Sequence, residues 1–368
     1  GGLRNVNADF ILAIGELGKE KGIDPELLFQ AVEEALVTAY KKNFGSNQNV
    51  RVDMNKVTGE LHIYAQRHIV AEVGDDPNEI SLEEARKIDP RYEVDDIVET
   101  EVTPRNFGRI AAQNAKQVVV QRIREAERGM VFEKFSSREN DIVTGIIQRM
   151  ENKNVYIDLG KAEAILTPNE QIPGEIYQYH DRMKTYIVEV KKTSKGPQIM
   201  VSRTHPGLLK RLFELEVPEI HDGLVEIKSV AREPGMRSKI SVYTKDENID
   251  PVGACVGHKG MRVQTIVNEL RGEKIDIVKY SSEPDQYVAN ALSPAKVVST
   301  EVLEEEKICR VIVPDYQLSL AIGKEGQNAR LAAKLTGWKI DIKSESQAAE
   351  EAEQGAQEVG VAYEADED

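Results

Sequence analysis

The sequence predicts a multidomain α+β protein, and three observations carry that prediction. Amphipathic helices and short alternating strands interleave over the first 140 residues. Five short strands with turn signals follow, within about 60 residues. A unit of about 66 residues then occurs twice. At 368 residues the chain has room for two to four domains of roughly 100–200 residues each.

The N-terminal α+β region comes first. Ile11, Ile14 and Leu17 share one helical face. Asp24-Pro25 reads as an N-cap and first-turn pair, opening a second helix with the stripe Leu28, Val32, Ala35, Leu36, Ala39 and Tyr40. Phe29 and Phe44 fall off this stripe and are candidates for a partner-facing patch or a satellite core. Val50, Val52 and Met54 alternate, as do Leu61 and Ile63, around a Thr58-Gly59 turn, which predicts a hairpin. Ser81 to Glu84 is a capping box, and Ile97 to Val102 a strand. A long helix is expected from Phe107 to about Arg128, with Ile110, Ala111, Ala115, Val118, Val119 and Ile123 inward. Its outer side carries Arg109, Lys116, Arg122, Arg124 and Arg128, either a solvated face or a contact surface.

Next come the strands Asp141–Gln148, Asn154–Leu159, Glu163–Leu166, Tyr186–Val190 and Gln198–Ser202. Their number and spacing suit a five-stranded OB-fold β-barrel.

The repeat is the most specific feature. Val256-Gly257-His258-Lys259-Gly260 is matched by Ile322-Gly323-Lys324-Glu325-Gly326, and Lys274-Ile275-Asp276-Ile277 by Lys339-Ile340-Asp341-Ile342. Each copy has two strands before the glycine pair (Leu224–Val230 and Ser238–Tyr243; Val297–Val302 and Ile308–Val313) and one after it. Asp285–Leu292 is expected to be the helix between the copies. Gly-x-x-Gly between helices permits a tight turn without a Cβ in the way. It also leads into a helix N-terminus that favours an anion. This is the backbone-clamping loop of a KH module, which holds about four nucleotides of single-stranded RNA. The element order suits two tandem bacterial-type KH domains.

The candidate RNA-binding residues follow. Gly257, Gly260, Gly323 and Gly326 would bring loop backbone to phosphate. Lys259, Arg262, Lys324 and Arg330 are candidate phosphate contacts, with ordinary surface charge as the bland alternative. Glu325 is unfavourable beside phosphate, so the second loop would lean on its N–H groups. His258 either stacks or stays in solvent. Val256, Val263, Ile322 and Ala329 line an apolar groove or belong to the core. In the barrel the candidates are Tyr156, His180, Lys191, Lys192 and Arg203, among the rings of Tyr177, Tyr179 and Tyr186. Trp338 reads as core.

Charge must be reconciled with this reading. Lys plus Arg is 48 and Asp plus Glu 63, a formal net charge of −15. Spread evenly, that would argue against phosphate binding. By segment the net charge is −6 for 1–140, +1 for 141–205, −1 for 206–343 and −9 for 344–368. The last segment, rich in Ala, Glu and Gln, predicts a disordered acidic tail.

A hydrophobic content of 40 % suits a globular protein, and no apolar run approaches a membrane span, so no membrane association is expected. No signal-peptide pattern opens the chain, and Gly1 to Val6, without an initiator Met, is expected to be a foreign remnant. Cys255 and Cys309 match no metal spacing and exclude a disulfide framework. No catalytic or nucleotide-loop motif is present, since Gly323-Lys324 is followed by Glu. No enzyme, cofactor or metal is therefore expected. The rival readings are an RNA-binding accessory protein of RNA decay or of the ribosome.

The domain order and several long strings resemble the NusA family of bacterial transcription factors over residues 8 to about 343. These strings are Ala115-Lys116-Gln117-Val118, Arg124-Glu125-Ala126-Glu127-Arg128, Glu216-Val217-Pro218-Glu219-Ile220 and Asp250 to Gly257. The barrel resembles the type first named from ribosomal protein S-one. The resemblance implies an RNA polymerase-binding domain at 1–140, an RNA-binding barrel at 141–205, KH domains at 206–283 and 284–343, and the tail at 344–368. It implies a cytoplasmic elongation factor, expected to be a monomer. Its partners would be RNA polymerase, nascent single-stranded RNA and other antitermination factors. It would modulate pausing, intrinsic termination and antitermination. The further C-terminal acidic repeats of some members have no counterpart in 344–368, so masking by them is not expected. The short tail would compete weakly for the KH surface.

Overall fold

The computed structural model describes residues 8–45, 47–74 and 76–353. The chain divides into two compact units, Gly1–Val131 and Phe132–Asp368.

The first unit is a helix layer on a small sheet. Its elements are α1 (Ala8–Lys21), α2 (Pro25–Phe44), β1 (Asn49–Met54), β2 (Leu61–Val70), β3 (Glu79–Ser81), α3 (Leu82–Ile88) and β4 (Ile97–Glu101). The long α4 (Phe107–Ser136) follows and ends beyond the unit. Asp24 caps α2 by accepting from the Glu26 N–H at 2.9 Å, and Ser81 caps α3 from the Glu84 N–H. The alternation in β1 puts Val50, Val52 and Met54 inward. They meet Ile14, Leu28, Val32, Leu36, Ile63, Ala111 and Ala115 in one core. Phe29 is part of that core at 7 % exposure, so its place off the apolar stripe does not make it a surface residue. Phe44 is exposed, its ring against Tyr40 and Phe107.

In the second unit β5 (Ile142–Glu151), β6 (Asn154–Asp158), β7 (Glu163–Leu166), β8 (Arg182–Thr193) and β9 (Gly196–Ser202) close a barrel in the order β5-β6-β7-β9-β8. Val143, Ile147, Val155, Ile157, Leu166, Ile187, Ile199 and Val201 are buried residues of these strands. At Gly145 a Cβ would fall 2.4 Å from the Ile157 side chain, so β5 can cross β6 only without one.

Two units of like topology follow. The first has α5 (Pro206–Glu216), α6 (Pro218–His221), β10 (Glu226–Glu233), β11 (Arg237–Tyr243), α7 (Pro251–Val256), α8 (Met261–Glu269) and β12 (Lys274–Lys279). The second has α9 (Pro284–Ala291), β13 (Ser299–Leu303), β14 (Ile308–Val313), α10 (Leu318–Ile322), α11 (Gln327–Thr336) and β15 (Lys339–Ser344). In each the middle strand pairs antiparallel with the first and parallel with the last. This is the two-strands-then-one order that the repeat predicts.

Polar seams brace these modules. Arg203 is fully buried and pairs with Glu175. It also donates to the Lys184 carbonyl at 2.9 Å and the Glu269 carbonyl at 3.0 Å, joining the barrel to α8. Arg232 and Glu273 form a second buried pair, and Arg232 donates to the His205 carbonyl. Between the repeats, Lys239 Nζ reaches both Asp276 and the Ser293 carbonyl, while the Tyr287 hydroxyl bonds Ser241 and Leu335.

The start of the acidic segment is not unordered. Residues 345–353 are helical. Ser346 donates to Asp315, and Lys343 pairs with Glu351 at 2.6 Å. The remainder of the expected disordered tail, 354–368, lies outside the described residues.

Candidate RNA interface

Both Gly-x-x-Gly loops sit between a short helix and a longer one, α7 and α8 in the first repeat, α10 and α11 in the second. Their backbones nearly coincide. Gly257 has φ 74° and ψ 174°, and Gly323 has 78° and 170°. Lys259 (51°, 29°) matches Glu325 (54°, 28°). Gly260 (75°, 12°) matches Gly326 (75°, 13°). The first glycine lies where essentially only glycine is tolerated, and the second is left-handed. In each loop the second glycine donates to the carbonyl of the first at 3.1 Å. The helices that follow have no side-chain cap, so no side chain occupies their N-terminal donors.

His258, Lys259, Lys324 and Glu325 are exposed on these loops. Neither Lys259 nor Lys324 forms an ion pair among the described residues, and both charges face solvent. The other two candidate cations are engaged. Arg262 is half-buried, pairs with Glu219 at 2.9 Å and donates to the Ala254 carbonyl at 2.6 Å. Asn328 stands at the matching position of the second repeat and donates to the Ala321 carbonyl at 3.0 Å. The two side chains pack against Gly257 and Gly323 respectively. Arg262 is thus first a brace of its loop. Arg330 is exposed, with Nε 2.6 Å from Glu233 and Nη1 on the Glu325 carbonyl. Of the groove candidates Ile322 is exposed, while Val256, Val263 and Ala329 are half-buried. Trp338 packs at the edge of the second core.

In the barrel Tyr156 is half-buried, with the Arg149 guanidinium 3.9 Å above its ring and Glu163 holding that guanidinium. Arg149 escaped the sequence reading, although Arg–aromatic stacking across neighbouring strands is a recognisable pairing. His180 is exposed, its ring tilted 52° against that of Tyr179 with centroids 3.8 Å apart. Lys191 pairs with Glu189 and Lys192 lies over Phe132. Tyr177 and Tyr186 are not free platforms. Tyr177 bonds Glu175 and the Ile172 N–H, and burial pushes its hydroxyl pKa up. Tyr186 is buried and stacks on His205. Arg203 is not an RNA contact, because its side chain has no exposed surface and its donors serve the seam between barrel and first repeat.

Four family models match the chain in order: NusA N-terminal domain over residues 9–129, S1 RNA binding domain over 136–202, NusA-like first KH domain over 203–280 and NusA-like second KH domain over 284–350. A transcription termination/antitermination protein NusA of Halalkalibacterium halodurans is 65 % identical over 94 % of this chain and 90 % of that protein. The chain belongs to the NusA family. The NusA of Bacillus subtilis is 64 % identical over 94 % of this chain and 93 % of its own length. That of Thermus thermophilus is 42 % identical over 91 % and 89 %. A solution structure of the N-terminal domain of NusA from B. subtilis, 55 % identical, covers 33 % of this chain and 98 % of that one, with a TM-score of 0.30. The S1 and KH modules are therefore those of NusA. Among the described residues no helix is long and apolar enough to cross a membrane.

Proposed function

We propose that the chain is a non-catalytic elongation factor of the cytoplasm. It docks on RNA polymerase through its N-terminal unit and receives nascent single-stranded RNA on the S1 barrel and the two KH loops. Pausing, intrinsic termination and antitermination respond to that contact, the last together with other antitermination factors. It acts as a monomer, with residues 1–140, 141–205, 206–283 and 284–343 as its working domains. The observation that carries the reading is the doubled loop. Two glycine turns share one backbone, each leads into a helix without a side-chain cap, and each exposes a lysine. A backbone clamp of this kind needs phosphate and tolerates many bases. On α4, Lys116, Arg124, Gln113, Gln117 and Val120 line an exposed groove of the first unit that supports a contact role there.

Lys259→Asp and Lys324→Asp test the RNA reading without touching the glycines. Asp accepts the left-handed backbone at 259, and both positions are exposed. The pair should weaken binding of an unstructured RNA of about 20 nucleotides by tenfold or more, since each step of about 1.4 kcal/mol is a factor of ten. Pause lifetime and terminator efficiency with purified polymerase should fall in parallel. Unchanged RNA affinity in the folded double variant would refute the site.

A further inference from the structure

The loop of the second repeat already has a carboxylate on it, and that carboxylate comes from the first repeat. Glu233 ends β10 beside the β10–β11 turn, and α11 packs against β10 and β11. Its Oε1 lies 2.6 Å from Arg330 Nε and its Oε2 accepts from Gln327 Nε2 at 2.9 Å. Gln327 is the first residue of α11 and Arg330 lies one turn on. Glu233 thus meets two side-chain donors in the first turn after the second Gly-x-x-Gly, at the helix end where an anion is favoured. Its side chain is only 16 % exposed, against 47 % for Arg330. The Arg330 hydrogen bond holds the Glu233 carboxyl below the usual carboxylate range despite its desolvation, with Gln327 adding to that effect.

We infer that Glu233 is an internal competitor for RNA phosphate at the second KH loop, and that RNA engages Arg330 and Gln327 only by displacing it. The inference rests on the RNA-binding role of the loops. Three features support competition over mere bracing. The contact is made by side chains alone, at the mouth of the loop. Its acceptor carries the negative charge of a phosphate and offers one oxygen to Arg330 and the other to Gln327, as two phosphate oxygens could. The loop itself already carries a second negative charge, Glu325, so an unopposed Lys324 is its one remaining cation among the described residues. The first repeat differs. There Glu219 engages Arg262, whose side chain also packs against Gly257 and holds the Ala254 carbonyl at the end of α7. Freeing it would cost the loop its geometry. Arg330 touches its loop only at the Glu325 carbonyl and stays half-exposed, so it is the cation that RNA can recruit.

The test is the affinity of the full chain for a fluorescein-labelled unstructured RNA of about 20 nucleotides, long enough to span two four-nucleotide clamps, measured against salt. Glu233→Gln keeps a hydrogen-bond acceptor for Gln327 and removes the charge. It should tighten binding about three- to tenfold at low salt and steepen the log–log salt dependence by about 0.7, one more phosphate neutralised on a single strand. The gain should vanish in Glu233→Gln/Arg330→Gln. Equal or weaker binding by Glu233→Gln would overturn the competitor, as would a gain that survives loss of Arg330. Lys324→Asp separates the two claims. If it weakens binding while Glu233→Gln fails to tighten it, competition alone is lost. If Lys324→Asp together with Lys259→Asp leaves affinity unchanged, the RNA reading falls and this inference with it.

Discussion

Gly323 and Gly326 look interchangeable in the motif but are held by different constraints. A Cβ on Gly323 would lie 2.7 Å from the Asn328 backbone nitrogen, and the residue's φ and ψ lie in a region closed to side chains. Nothing lies within 4 Å of a Cβ on Gly326, whose left-handed backbone alone penalises a side chain. Gly323→Ala should therefore destabilise the second repeat by about 3 kcal/mol or more, and Gly326→Ala by about 1 kcal/mol. Hydrogen exchange of the α11 amides reads this locally, and equal protection in the two variants would contradict the argument. The same geometry explains what the sequence could and could not tell. The glycines were legible because a tight turn is a local demand. In the sequence Arg203, Arg262 and Arg330 are candidate RNA contacts, and nothing there reveals their partners, because Glu175, Glu219 and Glu233 stand 28, 43 and 97 residues away. No spacing rule connects charges at such separations.

The strands of the first KH repeat carry their own charge ladder. Arg237 on β11 forks onto Asp276 of β12 at 2.7 and 2.8 Å, and buried Lys239 adds a third bond at 2.9 Å. Burial pushes the Asp276 carboxyl up, but the Arg237 and Lys239 contacts outweigh it and hold it below its ordinary value. Glu273 behaves alike. Burial raises it, and Arg232, Ser238 and the Gly235 N–H more than offset the rise. A carboxyl depressed in the folded state stabilises fully above its unfolded value, about 4, and that stability is lost as pH falls through the lower folded value. The repeat should therefore lose stability as pH falls below about 4. Asp276→Asn should flatten that decline and lower stability at pH 7 by about 3–5 kcal/mol, because Lys239 stays buried without its counter-charge. Urea unfolding at pH 7 and pH 3.5 checks both. A variant as stable as the parent at neutral pH would show the ladder to be dispensable. Element by element, hydrophobic periodicity marked the strands and helices well, since burial of one face is a local pattern. Helix ends were less legible: α4 continues past Arg128 to Ser136, and residues 345–353 are helical in a segment of tail-like composition. Specific bonds to Asp315 and Lys343 anchor that helix, and composition does not record them.

For the whole molecule the question is how a chain of net charge −15 holds a polyanion. Residues 141–343 are neutral in sum, with 9 basic and 8 acidic residues in 141–205 and 20 and 21 in 206–343. Several of their arginines, among them Arg203, Arg232, Arg262 and Arg330, are held by carboxylates, which leaves mainly lysines and a pair of loop backbones for phosphate. Intrinsic RNA affinity should thus be modest and the slope against salt shallow, about one unit or two, as only a few phosphates are neutralised. Docking on polymerase would compensate by raising the local concentration of transcript. The acidic C-terminus would act against RNA at longer range. The helix 345–353 is fixed to the second repeat, and five further acids, Glu358, Glu364, Asp366, Glu367 and Asp368, follow it in the sequence. They would repel RNA only within a screening length, about 30 Å at 0.01 M salt and 8 Å at 0.15 M. Truncation after Glu353 removes five of the fifteen net charges. It should tighten RNA binding up to about threefold at 0.01 M salt and leave it unchanged at 0.15 M. Kd measured for both chains across that range decides the point. Coincident curves at low salt would place the tail's charge out of reach of the RNA. A gain that persists at high salt would mean direct occupation of a loop rather than repulsion at a distance.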